Sequence, residues 1–244
     1  MRELIKRIAK RCGYSIGRLQ KKMYTEDAFE AMQYLLGGIE EPIIFDVGAH
    51  HGQVVLKFRE LFPSSRIYAF EPFRPSFTEL KAKTEHDSNI FIYDFGLCDS
   101  EGFKSFSSNS NTATNSLLSS DNSGAQTWGP GLLETKEIIQ AKFSTIDSVV
   151  AALRISRIDI LKLDVQGAEH LVFAGAKNTF KRGIISLIYS EIITQPTYKG
   201  QKRFDDALTQ IYNNGFDLYN IYNMSRTSEG RLRQIDTIFT KVTP

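Results

Sequence analysis

At 244 residues, with 41% hydrophobic and 24% charged content, the chain is long enough for one large α/β domain, or for two only if both are small. A formal net charge of +2 argues against nucleic acid as an obligate partner, and no apolar run approaches the ~20 residues of a membrane span. Cys12 and Cys98 lie far apart without C-x-x-C spacing, which excludes a disulfide framework and a thiolate zinc site and fits a reducing cytoplasm.

In chain order, residues 1–22 come first, with Arg2, Lys6, Arg7, Lys10, Arg11, Arg18, Lys21 and Lys22 against the single acid Glu3. Leu4, Ile5, Ile8, Cys12, Ile16 and Leu19 recur at near-helical intervals, so the segment reads as a basic amphipathic helix. Such a helix suits peripheral docking on the inner face of an anionic membrane, a transit peptide, or packing on the domain body or on a second subunit in a homodimer. Thr25 is placed to cap a second helix running to about Leu36, which Gly37 and Gly38 stop. Residues 1–41 thus form a helical extension and residues 42–244 the main domain.

Beyond residue 42 short apolar strands alternate with helices. Strands are expected over 42–47, 66–71, 89–95, 157–164, 184–192, 216–223 and 233–242, with helices over 51–61, 75–85, 167–181 and 203–213. Helix-length crossovers require a mostly parallel sheet covered on both faces, while the short turn after residue 223 makes the last two strands an antiparallel hairpin. The Ser- and Asn-rich stretch 105–131 carries too little apolar surface to fold alone and reads as a loop or lid.

The motif "IFDVGAHHG" (44–52) sits at the end of the first of these strands, where open parallel sheets bind ligands. Gly48 permits a sharp turn, Gly52 lets the next helix approach its strand, and backbone N–H groups at the helix start are free to face a ligand. Glu71 ends the next strand, placed to accept both hydroxyls of a ribose. His50 occupies the place of the central glycine of a dinucleotide fingerprint, which disfavours NAD, and no P-loop sequence occurs. An acid, a glycine turn and a ribose-binding acid without a phosphate cradle point to S-adenosylmethionine, with Asp46 serving its ammonium group directly or through water.

"FDVGAHHG", "YAFEPFRPSF", "GLCDSEG", "NTATNSL", "TIDSVV", "IDILKLDVQGAEHLVFAGA", "SLIYSEI" and "QIDTIFTK" follow in an order that resembles the FkbM-type methyltransferase family, over about residues 42–242. The resemblance implies a Rossmann-like class I methyltransferase fold and S-adenosylmethionine-dependent methylation of hydroxyl groups, often on sugars or polyketides. Two positions depart from the family pattern: His50 stands where Asn is usual, and Gln166 where Glu is usual. The rival reading is a catalytically weakened, methyltransferase-like scaffold tethered by its basic helix.

The expected cofactor-binding residues are Asp46, Gly48, Ala49, His50, Gly52, Glu71, Pro72, Asp94 and Asp164, with Asp99 an alternative to Asp94 for the adenine amino group. Asp164, ending the fourth strand, leads the catalytic candidates, since methyl transfer needs a held acceptor oxygen and a group to take its proton. Glu191 and His51 complete that set, Glu191 at the end of the fifth strand toward acceptor hydroxyls and His51 as an alternative base. Lys162 is expected to pair with Asp164 or Glu191 or to snorkel outward. No metal is expected, because adjacent residues diverge in direction on a helix or strand and His50 and His51 then cannot chelate one ion. Asn111, Asn115, Ser116 and Trp128 in the polar stretch are candidate acceptor contacts, Trp128 by stacking on a sugar face.

Overall fold

A computed structural model describes residues 25–242. The first described helix, α1 (Ala28–Leu35), begins two residues later than its capping signal suggests. Asp27 is the cap, accepting from the Phe29 and Glu30 N–H groups, and Thr25 instead donates to Glu30. A carboxylate two residues nearer the helix reaches two orphan donors at once.

The main sheet contains β1 (Ile43–Val47), β2 (Arg66–Phe70), β3 (Ile90–Tyr93), β7 (Ile158–Leu163), β8 (Ile185–Ile193), β9 (Phe216–Arg226) and β10 (Leu232–Lys241), in the order β3-β2-β1-β7-β8-β10-β9. The first five run parallel, and β10 enters antiparallel between β8 and β9. All seven strands expected from the sequence are here, each within a few residues of its predicted bounds. Strand order reverses between β1 and β7, which opens a crevice at their carboxyl ends.

Alternation along each strand feeds two cores. Phe45, Phe70, Leu161, Leu163 and Ile188 face the helices α5 (Ile146–Ala152), α6 (Glu169–Ala174) and α8 (Phe204–Asn213). Ile44, Ile67, Ala69, Ile160 and Leu187 face α1, α2 (Gln53–Leu61) and α3 (Arg74–Thr84). Met32 and Phe58 are fully buried, so α1 belongs to the same core as the sheet. The helix expected over 167–181 is two, α6 and α7 (Lys177–Lys181), because the chain turns at Gly175, where a Cβ would overlap the Cys98 carbonyl.

The largest departure from the sequence reading lies between β3 and β7. A second, three-stranded sheet of β4 (Gly96–Leu97), β6 (Thr135–Ser144) and β5 (Gly102–Asn109) stands here, and the polar stretch supplies part of it. It also supplies a 3-10 turn (Thr112–Thr114) and the short helix α4 (Gly124–Trp128). Side-chain hydrogen bonds supplement a small apolar cluster of Phe106, Ala141 and Phe143: Asn109 donates to the Thr114 carbonyl at 2.7 Å, and Asn115 accepts from the Asn109 N–H at 2.7 Å. Hydrophobic periodicity is blind to a sheet held this way.

Candidate active site

The second sheet roofs the crevice and closes a cavity of about 680 Å³, its open mouth included, within the size range of small-molecule sites. Strand ends β1, β2 and β7 supply Val47, Gly48, Glu71, Pro72 and Asp164 to its wall. The roof supplies Leu97, Phe106, Asn115, Leu117 and Phe143.

Gly48 (φ 80°) turns the chain where a Cβ would overlap the Asp164 carbonyl, so β1 and β7 approach here to backbone contact. The Gly48 and Ala49 N–H groups both donate to the Phe70 carbonyl, at 3.0 and 3.1 Å, and are not free for a ligand as the sequence reading expects. The glycine turn tucks under β2, and that consumes its donors. Gly52 (φ 83°) is needed against a different neighbour from the strand expected, since its Cβ would lie 2.8 Å from Leu80 of α3.

The Glu71 carboxylate accepts the His50 and Phe73 N–H groups, both at 2.8 Å, which fixes it in the cavity wall with lone pairs to spare. Burial pushes its pKa up to about 7, against the pull of those two bonds. Hydroxyl donors such as those of a ribose would stabilise the ionised form. S-Adenosylhomocysteine affinity is therefore expected to rise as pH increases through about 7, and the dependence to vanish in Glu71→Gln with much weaker binding. Calorimetry at pH 6 and 8 checks this; equal affinities in the wild type would refute it.

Asp46 and Lys162 face each other across the β1–β7 ladder, and the Lys162 ammonium lies 2.7 Å from Asp46 Oδ1. It also donates to the Gly48 carbonyl at 2.8 Å and lies 3.8 Å from Asp164 Oδ2. With Lys162 4% and Asp46 0% exposed, this is a buried pair rather than a snorkelling lysine. Asp46 lies beneath the cavity wall, its charge answered by lysine.

Gly48, His50, Glu71, Pro72 and Asp164 therefore meet around one cavity, whereas Asp46, Ala49, Gly52, Asp94, His51 and Glu191 do not line it. Asp94 follows the end of β3, is exposed and lies 3.8 Å from Arg74. Asp99, its alternative, is exposed and lies 3.4 Å from Lys104. His50 (φ 48°) sits in a left-handed turn, which brings its ring onto that of His51, centroids 3.7 Å apart. The divergence expected of neighbours on a helix or strand does not apply to this turn. Their nitrogens still serve different partners, Thr112 at 2.9 Å and Glu79 at 3.5 Å. Burial lowers the His50 pKa to about 4, so its ring is neutral at physiological pH.

Asp164 carries a partly exposed side chain at the cavity wall. Gln166 Nε2 donates to Asp164 Oδ1 at 2.8 Å and to Glu191 Oε2 at 2.9 Å, linking the two acids. Trp128 is committed elsewhere, donating to Thr197 at 2.8 Å with the Arg233 guanidinium 4.6 Å from its ring centre. Among the residues the sequence reading did not single out, Leu97, Phe106 and Phe143 give the cavity an apolar wall for a base ring. No periodicity marks them, since they come from the second sheet.

The wall fits a ribonucleoside with an amino-acid tail. It offers an apolar slot, the Glu71 carboxylate, and the Asn115 Nδ2, which is buried with no partner among the described residues. The strand order, with its single reversed strand next to the edge, and a nucleoside cavity at the switch point define a class I methyltransferase that uses S-adenosylmethionine. Residues 46–218 match the methyltransferase FkbM domain, and the chain belongs to that family.

The 2-O-methyltransferase NoeI of Sinorhizobium fredii is 24% identical over 173 residues, covering 66% of this chain and 67% of that protein. The AMB antimetabolite synthetase AmbE of Pseudomonas aeruginosa is 28% identical over 179 residues, but these span only 8% of its length and 62% of this chain. The precorrin-6y C5,15-methyltransferase structure from Geobacter metallireducens shares the fold, with a TM-score of 0.50 and 12% identity over 91% of this chain and 92% of that one. Among the described residues no helix is long and apolar enough to cross a membrane.

Proposed function

We propose that the protein is an O-methyltransferase acting on a hydroxyl of a sugar, glycan or other small secondary metabolite. The observation that carries this reading is the Asp164 carboxylate, half-exposed in the wall of the cofactor cavity with Glu191 tied to it through Gln166. The similarity to a relative described as a 2-O-methyltransferase supports a hydroxyl acceptor.

S-Adenosylmethionine supplies an electrophilic methyl group on a sulfonium. With the cofactor bound, Asp164 would take the proton of the acceptor hydroxyl as its oxygen receives the methyl group and the C–S electron pair stays on sulfur. Lys162, 3.8 Å from Asp164 Oδ2, holds that carboxylate in place while Asp46 and the Gly48 carbonyl hold the lysine. His50, neutral at physiological pH, adds no positive charge to the cavity wall that would face a sulfonium cofactor. Glu71 and Asn115 are the polar groups we assign to the cofactor. The basic segment 1–22 lies outside the described residues, and its docking on an anionic membrane or a second subunit is proposed from its charge pattern alone.

The test is a screen of hydroxylated acceptors for S-adenosylhomocysteine release, repeated with Asp164→Asn. Loss of a proton acceptor is expected to lower kcat about 10²–10⁴-fold. Cofactor binding without turnover on any acceptor would favour the scaffold reading instead.

A further inference from the structure

Gln166 lies just beyond the end of β7, and the structure gives its amide polar partners on both sides. Both Nε2 hydrogens are used, one on Asp164 and one on Glu191, and Oε1 lies 3.1 Å from the Tyr198 hydroxyl, whose single proton is shared with the Thr114 carbonyl at 2.9 Å. Its backbone carbonyl accepts from Ser116 Oγ at 2.8 Å, and its φ of 54° is a left-handed conformation that a non-glycine residue keeps only where the surroundings fix it. The amide orientation is dictated by chemistry, because a flipped carboxamide would point its oxygen at two carboxylates.

Those acids sit in a crowded field. Glu191 lies directly opposite Asp236 across the β8–β10 ladder, and Glu169 of α6 is near both Asp164 and Glu191. Asp236 is held by Tyr189 at 2.8 Å and Asn223 at 2.7 Å, and the second Glu191 oxygen accepts from Gln234 at 3.0 Å. Lys162 is the cation facing the group, and it lies closest to Asp46. Like charges this close raise each other's pKa unless donors between them stabilise the ionised forms.

We propose that Gln166 is a positioning residue for methyl transfer, its one amide spanning Asp164 and Glu191 so that the repulsion between the two acids is offset and Asp164 keeps a fixed aim at the acceptor hydroxyl. This rests on the O-methyltransferase reading. A glutamate at 166 brings a third acid into contact with these two, and one of the three then retains a proton. Burial, then the charges of Asp164 and Asp236, already hold Glu191 well above the ordinary carboxylate range, and the Gln166 bond opposes them.

The experiment needs no acceptor. Carboxyl carbons of the full-length protein, labelled with ¹³C at Asp and Glu, are titrated by NMR, with the Glu191 and Asp164 signals assigned through Glu191→Gln and Asp164→Asn. In Gln166→Glu the Glu191 midpoint is expected to move up by about one pH unit or more. Tyr198→Phe, which leaves both carboxylates and the amide in place but frees Oε1, is expected to move it the same way by less, and serves alone if Gln166→Glu does not fold. Midpoints unchanged within error in the folded variants would overturn the proposal whether or not an acceptor is ever found. Absence of turnover with every acceptor would instead remove the O-methyl reading and leave the titration result standing. With an acceptor in hand, the acid limb of kcat is expected to follow the same shift, which a purely structural role does not produce.

Discussion

Gly48→Ala is expected to weaken S-adenosylhomocysteine binding by at least about a hundredfold and to lower the thermal midpoint. An L-residue at φ 80° costs about 1–2 kcal/mol. The added methyl also overlaps the Asp164 carbonyl, and forcing packed elements apart costs about 1–3 kcal/mol more. The atoms that must move are backbone at the closest approach of β1 and β7, so the strain is relieved only by opening the crevice that binds the cofactor. At about 2–4 °C per kcal/mol for a chain of this size, the midpoint should fall by roughly 5–15 °C. Calorimetry and a thermal melt measure both effects. A variant that melts like the wild type and binds as tightly would mean that the turn relaxes without disturbing the site.

Lys162→Met is the second large effect. It removes the cation from a pair buried at 4% and 0% exposure and leaves Asp46 without it, a loss of about 3–5 kcal/mol. Burial already raises the Asp46 pKa despite the lysine, whose charge and hydrogen bond are what oppose it. A carboxyl whose folded-state pKa is raised costs stability above its unfolded value, and the cost is relieved as pH falls through the folded value. The Lys162→Met variant should therefore regain stability relative to wild type as pH is lowered from 8 toward 5. Adding Asp46→Leu is expected to recover most of the stability at pH 8, because a buried pair replaced whole by apolar side chains is often neutral. It should not recover turnover, since Asp164 and the Gly48 carbonyl have still lost their lysine. A double variant no more stable than the single one would show that the loss does not come from the unpaired acid.

The parallel strands were legible because each is a short apolar run between turn signals, and burial on both faces leaves no other sequence for them. The glycine turn at 48 was equally readable, for the backbone conformation it requires excludes most other residues. Asp46 shows where such reading stops. An acid at the end of β1 looks like a ligand contact until the ladder register sets Lys162 opposite it, and register between strands some 110 residues apart is not a local property. The second sheet escapes sequence reading for a related reason. β5 is rich in serine and carries no regular apolar alternation, and its partner β6 joins it through backbone bonds and side-chain amides.

By itself, the sequence determined the seven-stranded α/β sheet, its antiparallel end and the family. These follow from local periodicity, turn chemistry and the order of motifs. Only the tertiary structure decided which acids line the cavity and which meet each other, and that the polar stretch closes the cavity. It also decided that Gln166 joins Asp164 to Glu191, because these residues come from strand ends and loops whose proximity is created by packing and not by spacing along the chain.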